Sequence, residues 1–285
     1  MPVDYKNMKD QKVAVVTGSS SGIGLETSLI LARNGYTTYA TMRSPHKYAS
    51  IKAAVQNENL PIRVVPLDVT DDISVKNAID HIVSEAGRID ILVNNAGYGL
   101  VGALEDLSIE EIRSQYETNL FGLIRVIHAV LPAMRKQRSG RIINISSGAG
   151  IFSYPGGSAY VSTKFAVEGL SESIAYELES FGIKVILIEP GFVKTNFGNA
   201  MVIARKAQDS ASPYSELMQR TMAGFAELAK NASDAELVAK IILDAAANPN
   251  PRLRYLAGKD VESWAAGKKN MDELEFYDMI KSLTT

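Results

Sequence analysis

The most informative stretch of the chain is Lys12-Val13-Ala14-Val15-Val16-Thr17-Gly18-Ser19-Ser20-Ser21-Gly22-Ile23-Gly24. Its first six residues are rich in valine and nearly all apolar, as in a central parallel strand that is covered on both faces. Three glycines follow within seven residues, and residues 25–34 then show helical spacing. A strand, a glycine loop and a helix in this order predict a turn whose backbone N–H groups face a pyrophosphate. The alternative is a plain strand-to-helix turn, since the spacing is neither G-x-G-x-x-G nor that of a P-loop.

Further along the chain, apolar runs of strand length alternate with segments of helical period. Strands are predicted over residues 36–42, 62–67, 89–93, 141–146, 184–188 and 252–256, and helices over 73–86, 108–135, 158–179, 213–230 and 234–247. This alternation is typical of a doubly wound α/β fold. We therefore predict a single Rossmann-type domain over residues 1–285, in which a parallel sheet of about seven strands lies between two layers of helices.

Composition argues against several classes of function. The 285 residues carry a formal net charge of -2, which offers no basic surface for nucleic acid. The absence of cysteine excludes disulfides, thiolate catalysis and zinc–thiolate sites. The histidines, His46, His81 and His128, lie far apart in sequence and are expected to be solvated or packing residues rather than metal ligands. With neither an apolar run near 18 residues nor a signal-peptide pattern, a soluble cytoplasmic protein without a membrane span is expected.

Tyr160 and Lys164 lie one helical turn apart and so share one face of their predicted helix. A phenol with a pKa near 10 transfers protons poorly at neutral pH unless a neighbouring cation stabilises its phenolate. At roughly 4 Å an ammonium contributes about 4 kcal/mol when the effective dielectric constant is near 20, but only about 1 kcal/mol in water. The pair therefore indicates acid–base chemistry if it is shielded from solvent, and ordinary surface packing if it is not.

Three motifs together resemble the short-chain dehydrogenase/reductase family. They are Thr17-Gly18-x-x-x-Gly22-x-Gly24, Asn94-Asn95-Ala96-Gly97 and Tyr160-x-x-x-Lys164. The resemblance covers residues 12 to about 258 and implies the strand order 3-2-1-4-5-6-7, together with hydride transfer between a nicotinamide and a carbonyl carbon. It further implies that Tyr160 transfers the proton, that Lys164 lowers the pKa of Tyr160 and binds the nicotinamide ribose, that Ser147 polarises the substrate oxygen, and that Asn119 holds a water of a proton relay.

Some of these assignments have competitors. Ser146 competes with Ser147, and the thirteen-residue offset from Tyr160 that the family shares favours Ser147. Asn119 in mid-helix fits a buried polar role, with surface exposure as the alternative. A serine hydrolase is disfavoured because neither serine lies in a Gly-x-Ser-x-Gly elbow. A catalytically silent NADP(H)-binding sensor stays open as the alternative to an enzyme.

For the cofactor, the resemblance implies contacts from residues that follow the predicted strands. They are Gly18, Ser20, Ser21, Gly22, Ile23, Gly24, Arg43, Asp68, Val69, Asn95, Ala96, Gly97, Tyr160, Lys164, Pro190, Gly191, Val193 and Thr195. NADP is expected rather than NAD, because Arg43 and not a carboxylate follows the second strand. The alternative is that Arg43 is a solvated residue ahead of Pro45. Asp68 is expected to meet the adenine amine, or else to cap the helix that follows.

The long connection over residues 192–213 is expected to be a substrate lid. Met201, Val202 and Ile203 would give the pocket an apolar wall, whereas Lys194, Arg205 and Lys206 could attract a carboxylate. The overall pattern resembles the steroid- and retinol-dehydrogenase-like branch of the family. A hydrophobic carbonyl compound of this kind is therefore one expected substrate, and a small aldehyde or semialdehyde acid is the other.

Assembly and the chain's last residues complete the predictions. By family analogy, a homodimer or homotetramer is expected to form through the two long helices, over residues 108–135 and 159–181.

Residues 258–285 form a C-terminal extension that contains Trp264 and a helical segment over 271–283. The sequence does not predict what this extension does.

Overall fold

The computed structural model describes residues 11–44, 49–195 and 201–282. Its strands are β1 (Val13–Val16), β2 (Thr37–Met42), β3 (Ile62–Pro66), β4 (Ile91–Asn94), β5 (Gly99–Val101), β6 (Gly140–Ile145), β7 (Ile183–Pro190), β8 (Val193–Lys194), β9 (Met201–Ile203), β10 (Ser233–Asp234) and β11 (Arg254–Ala257). Its helices are α1 (Gly22–Arg33), α2 (Ala49–Glu58), α3 (Asp72–Ala86), α4 (Ile109–Tyr116), α5 (Gly122–Gln137), α6 (Ser158–Glu179), α7 (Ser215–Ala229), α8 (Ala235–Ala247), α9 (Lys259–Asn270) and α10 (Glu273–Ser282).

Seven of the strands form one parallel sheet in the order β11-β7-β6-β4-β1-β2-β3. Because β6, β7 and β11 are the fifth, sixth and seventh predicted strands, the predicted order 3-2-1-4-5-6-7 is confirmed. The order reverses between β1 and β4, and ligands of doubly wound sheets bind at such a reversal, beyond the carboxyl ends of the strands. The short strands pair outside this sheet, β5 with β9 and β8 with β10.

Helices cover both faces of the sheet, which explains why its central strands are apolar throughout. Val13 and Val15 of β1 belong to a core cluster with α3, α5 and α6 on one face. Ala14 and Val16 belong to a second cluster with α1 and α8 on the other face. All four side chains are at most 1% exposed. The predicted three-layer, single-domain α/β fold is therefore confirmed.

The helix predicted over residues 108–135 is interrupted. A π-helical turn, Glu117–Phe121, joins α4 to α5 and holds Asn119. Asn119 is 3% exposed, and its side chain accepts a hydrogen bond from Tyr98 N at 3.1 Å and donates one to Tyr98 O at 2.9 Å. The prediction of one unbroken helix is therefore wrong, because apolar periodicity does not distinguish this wider turn from an α-helical one. The buried alternative for Asn119 is the one observed.

Several smaller features differ from the sequence-based expectations or lie outside the described residues. Helix α2 and strand β5 were not predicted, and the helix predicted over residues 271–283 begins at Glu273 and reaches Ser282. His81 and His128 are exposed, whereas His46 and lid residues 196–200 lie outside the described residues. Within the described ranges, no helix is both long and apolar enough to cross a membrane.

Candidate active site

The glycine loop after β1 has no space for a side chain at Gly18 or Gly24. Gly18 has a φ of +68°, a left-handed conformation that favours glycine. A Cβ atom on Gly24 would overlap the carbonyl oxygen of Gly18 and would lie 2.5 Å from Nδ2 of Asn95. The N-terminus of α1, which begins at Gly22, opens at the same place. The loop therefore has the close backbone approach and the helix dipole that a pyrophosphate requires.

Asn95 fastens this loop to the end of β4. Its Nδ2 donates to the carbonyl oxygens of Thr17 at 2.9 Å and Gly18 at 3.1 Å. In return, the backbone N–H groups of Asn95 and Ala96 donate to Oγ1 of Thr17, each at 3.0 Å. These bonds join two motifs that lie 78 residues apart in sequence. The glycine loop and the end of β4 are thus held together by four hydrogen bonds.

A single cleft of about 1810 Å³ runs over the carboxyl ends of the strands and contains nearly all of the predicted site. The predicted residues that line it are Gly18, Ser20, Ser21, Gly22, Ile23, Arg43, Asp68, Val69, Asn95, Ala96, Gly97, Ser147, Tyr160, Lys164, Pro190, Gly191, Val193 and Thr195. Gly24 and Asn119 do not line it. Gly24 is packed beneath the loop, and Asn119 lies buried behind Tyr98.

Tyr160 and Lys164, the predicted acid–base pair, both line this cleft, and so does Ser147. The hydroxyl of Ser147 is hydrogen-bonded to Tyr160. Lys164 is 8% exposed. Its Nζ donates a hydrogen bond to the carbonyl oxygen of Ile145 at 2.8 Å and lies 5.6 Å from the centroid of the Tyr160 ring. Ser146, the competitor of Ser147, is 2% exposed, and its hydroxyl has no hydrogen-bond partner among the described residues. Ser147 is therefore the serine that the structure places against Tyr160.

Burial determines the direction of both pKa shifts at this pair. It raises the pKa of Tyr160 to about 12, and the hydrogen bond from Ser147 opposes this rise. Burial also lowers the pKa of Lys164 to about 8, while the charge of Glu168 opposes this fall. The pKa of Tyr160 is thus raised overall rather than lowered, because removal of water destabilises the phenolate more than its neighbours stabilise it. The phenol is protonated at neutral pH, as a proton donor must be.

The residues predicted for the adenosine end lie at the carboxyl ends of β2 and β3. Arg43 is exposed and lines the cleft directly after β2. Asp68 follows β3 and accepts hydrogen bonds from the N–H of Thr70 at 3.0 Å and its hydroxyl at 2.8 Å. The cap of α3 is instead Asp71, whose carboxylate accepts from the N–H groups of Ile73 and Ser74. The alternative that Asp68 caps this helix is therefore wrong.

The opposite end of the cleft is an aromatic wall that the sequence analysis missed. It consists of Phe152, Tyr154, Phe192, Phe225 and Trp264, which all line the cleft. Their rings pack edge to face, with centroids 5.4 Å apart for Phe152 and Trp264 and 5.1 Å apart for Tyr154 and Phe225. The wall joins four separate parts of the chain, so no local pattern could have indicated it.

The C-terminal extension contributes to this wall and is held to the cofactor side of the cleft. Trp264 comes from α9, and Ile280 of α10 also lines the cleft. The carboxylate of Asp260, at the start of α9, accepts a hydrogen bond from the N–H of Phe192 at 2.7 Å. A Cβ atom on Gly191 would overlap that same carboxylate. The extension therefore fixes the turn after β7, where Pro190 and Gly191 line the cleft.

The lid residues divide between the cleft and the surface. Met201 and Val202 line the cleft, as predicted for an apolar wall, whereas Ile203 does not. Lys194 also lines it, and its Nζ lies 3.3 Å from Oδ1 of Asp234. Arg205 and Lys206 are exposed and lie outside the lining residues.

Comparison with known proteins gives consistent results. A family model described as short chain dehydrogenase matches residues 12–206. The 3-ketodihydrosphingosine reductase of Bacteroides thetaiotaomicron is 37% identical over 260 residues, which cover 91% of this chain and 92% of that protein. Retinol dehydrogenase 8 of Bos taurus is 36% identical over 256 residues, which cover 85% of this chain and 80% of that protein. A crystal structure of a short-chain dehydrogenase from Streptomyces avermitilis matches with a TM-score of 0.82 and 34% identity, covering 95% of this chain and 97% of that chain.

The family match extends from β1 to the 3₁₀ turn after β9, and the relatives cover most of the remaining chain. The similarity to a retinol dehydrogenase also supports the predicted steroid- and retinol-dehydrogenase-like branch. The chain is therefore an oxidoreductase that belongs to the short-chain dehydrogenase/reductase family.

Proposed function

We propose that the protein is an NADP-dependent oxidoreductase that interconverts a carbonyl compound and an alcohol, with Tyr160 as the general acid or base. The observation that carries the proposal is the hydrogen-bonded pair of Ser147 and Tyr160 beside buried Lys164, in a cleft that also contains the glycine loop. A silent dinucleotide sensor would need the loop but not this arrangement of proton-transfer groups.

The nicotinamide, when bound, supplies the hydride for reduction or accepts it in oxidation. Gly18, Asn95 and the N-terminus of α1 hold the dinucleotide, and Ser147 donates a hydrogen bond that orients and polarises the substrate oxygen. Tyr160, protonated at neutral pH, gives its proton to that oxygen as negative charge develops there. The ammonium of Lys164 then stabilises the phenolate and binds the nicotinamide ribose. Asn119, as a buried amide at the π-helical turn, is proposed to hold the water that returns the proton.

Arg43 supports the choice of NADP over NAD. Its guanidinium stands exposed at the end of β2, where a 2′-phosphate would lie. We expect Arg43→Ala to lower the preference for NADPH over NADH about tenfold, since a charge-assisted hydrogen bond at an exposed site contributes about 1.5 kcal/mol. The measurement is the ratio of the two coenzymes' kcat/KM values. Arg33→Ala, which removes an arginine paired with Glu58 outside the cleft, is the control and should leave the ratio unchanged.

The aromatic wall favours an apolar substrate over a semialdehyde acid. Of the three basic residues that could attract a carboxylate, Arg205 and Lys206 lie outside the cleft lining, and Lys194 faces Asp234. The relatives named for retinol and for 3-ketodihydrosphingosine support the same choice. We therefore propose a hydrophobic ketone or aldehyde, with the C-terminal extension as one side of its binding site.

The test is oxidation of NADPH and NADH, followed at 340 nm, against steroid ketones, retinal, simple aldehydes and semialdehyde acids. We expect the steroid ketones or retinal to be reduced with NADPH as the preferred coenzyme. Faster turnover of the semialdehyde acids would instead favour a small charged substrate. If NADPH binds and no compound is turned over in either direction, the sensor becomes the better explanation.

Assembly through the long helices is also proposed. Phe121, at the end of the π-helical turn, is 49% exposed, and Phe165 of α6 is 47% exposed. Large exposed apolar side chains on these two segments support contact between copies of the chain. A homodimer or homotetramer in the cytoplasm is the expectation, and a monomeric mass by light scattering would contradict the assembly.

A further inference from the structure

A buried carboxylate, Glu168, lies one helical turn after Lys164 on α6. Glu168 as a whole is 8% exposed. Oε2 accepts a hydrogen bond from Nε of Arg254 at 2.9 Å, which fixes the carboxylate from β11. Oε1 is buried as well, and no described residue gives it a hydrogen bond. A buried carboxylate with one unpaired oxygen is costly unless a nearby charge compensates it.

Glu168 also contacts the turn that carries Ser147. Gly150 ends the 3₁₀ turn that follows Ser147, and a Cβ atom on Gly150 would lie 3.0 Å from Cγ and 3.3 Å from Oε1 of Glu168. The same position is 2.7 Å from the hydroxyl of Ser146. The side chain of Glu168 therefore packs from α6, the helix that carries Tyr160 and Lys164, against the turn that follows Ser147.

The other ionisable groups around Glu168 are less suited to balance Lys164. Glu172 shares Arg254 with Glu168, but its side chain is 48% exposed. Glu189 of β7 lies 3.9 Å from Nε of Arg254, and burial, together with the charge of Glu168, raises its pKa to about 7. Tyr160 is protonated at neutral pH. Glu168 lies one turn from Lys164 on α6, and both residues are 8% exposed, so two buried side chains of opposite charge share one face of this helix. The charge of Glu168 accordingly opposes the fall in the pKa of Lys164.

We propose that Glu168, fixed by Arg254, is a positioning residue of the catalytic centre that supplies the counter-charge for the buried ammonium of Lys164. Its effect on turnover rests on the proposed function, whereas its effect on Lys164 does not. With the Glu168 charge removed, burial acts unopposed and the pKa of Lys164 falls further below about 8. The amine form then becomes abundant near neutral pH, and the phenolate of Tyr160 loses its stabilising cation.

The direct measurement is a pH titration of Lys164 by NMR in the full-length protein labelled with ¹³C at the lysine Cε atoms. The Lys164 signal is assigned by its loss in Lys164→Arg. We expect Glu168→Gln, which keeps the side-chain shape and removes the charge, to lower the Lys164 midpoint by about one pH unit, a tenfold change in the ammonium-to-amine ratio. Glu172→Gln, on the same helix and paired with the same arginine, should leave the midpoint unchanged.

Glu168→Asp separates charge from packing, because it keeps the charge and shortens the side chain. We expect its Lys164 midpoint to stay near that of the wild type. An unmoved midpoint in Glu168→Gln, equal shifts in Glu168→Gln and Glu172→Gln, or a lowered midpoint in Glu168→Asp would each overturn the proposal. The Glu168→Asp result tests the proposal by itself if Glu168→Gln does not fold.

Kinetics provide the second readout. For the wild type's best substrate, kcat/KM in Glu168→Gln should fall about fivefold at pH 8, because the charged fraction of Lys164 drops there from about one half to about one tenth. It should stay near normal at pH 6, where Lys164 remains charged. A uniform loss at all pH values would indicate a merely structural role. If the wild type turns over no substrate, the proposed function fails, while the NMR titration still decides whether Glu168 balances Lys164.

Discussion

The Tyr160→Phe variant is expected to lose turnover of every carbonyl substrate by about 10²–10⁴-fold, the usual contribution of a general acid or base. This substitution removes only the hydroxyl group, which is hydrogen-bonded to Ser147 in the cleft. Its loss leaves the glycine loop and its bonds to Asn95 intact, so the variant should still bind NADPH. The measurements are kcat in the reductive direction and the NADPH Kd from fluorescence titration.

Tyr176→Phe is the matched control for this prediction. Tyr176 lies on the same helix, α6, but is 75% exposed, so removal of its hydroxyl should leave both kcat and Kd unchanged. Near-normal kcat in Tyr160→Phe would contradict the assignment of this residue as the proton donor. Loss of NADPH binding in that variant would instead point to a structural effect on the cleft.

The Gly24→Ala variant is expected to weaken NADPH binding about 100-fold. The added methyl would overlap the carbonyl oxygen of Gly18 and lie 2.5 Å from Nδ2 of Asn95. Neither neighbour can move aside easily, because Asn95 holds Thr17 and Gly18 by hydrogen bonds. Forcing a methyl into such a site costs about 1–3 kcal/mol, and the loop relieves this strain by moving out of its place at the N-terminus of α1. We expect the displaced loop to lose about 2.8 kcal/mol of binding free energy, which corresponds to about 100-fold in Kd. Calorimetric titration of the purified variant with NADPH measures the effect.

Gly169→Ala is the control for an added methyl. Apart from the adjoining backbone of α6 itself, the described part of the chain places no atom within 4 Å of a Cβ on Gly169, which is an exposed position in this helix. This change should leave NADPH binding unaltered and should stabilise the fold by about 0.5–1 kcal/mol, because alanine loses less backbone entropy than glycine in a helix. Wild-type affinity for NADPH in Gly24→Ala would show that the loop can accommodate a side chain. It would contradict the proposal that NADPH binding depends on the close packing at Gly24.

The sequence predicted the fold and most of the cleft because the informative patterns are short and periodic. An apolar strand followed by glycines and a helix indicates one βα unit, and parallel strands bring their carboxyl ends to one edge of the sheet. Residues 78 positions apart, such as Thr17 and Asn95, could therefore be placed together without knowledge of their contacts. The same reasoning failed over residues 108–135, where the buried amide of Asn119 lies in a π-helical turn.

By itself, the sequence determined the α/β architecture, the strand order through its family resemblance, and most of the residues that line the cleft. Only the tertiary structure decided the aromatic wall of the cleft, the attachment of the C-terminal extension through Asp260, and the contact of Glu168 with Arg254. It also decided that the pKa of Tyr160 rises rather than falls. The physical reason is that these contacts and this pKa depend on groups that folding brings together from distant parts of the chain. Motifs and periodicity report only on residues that are neighbours along the chain.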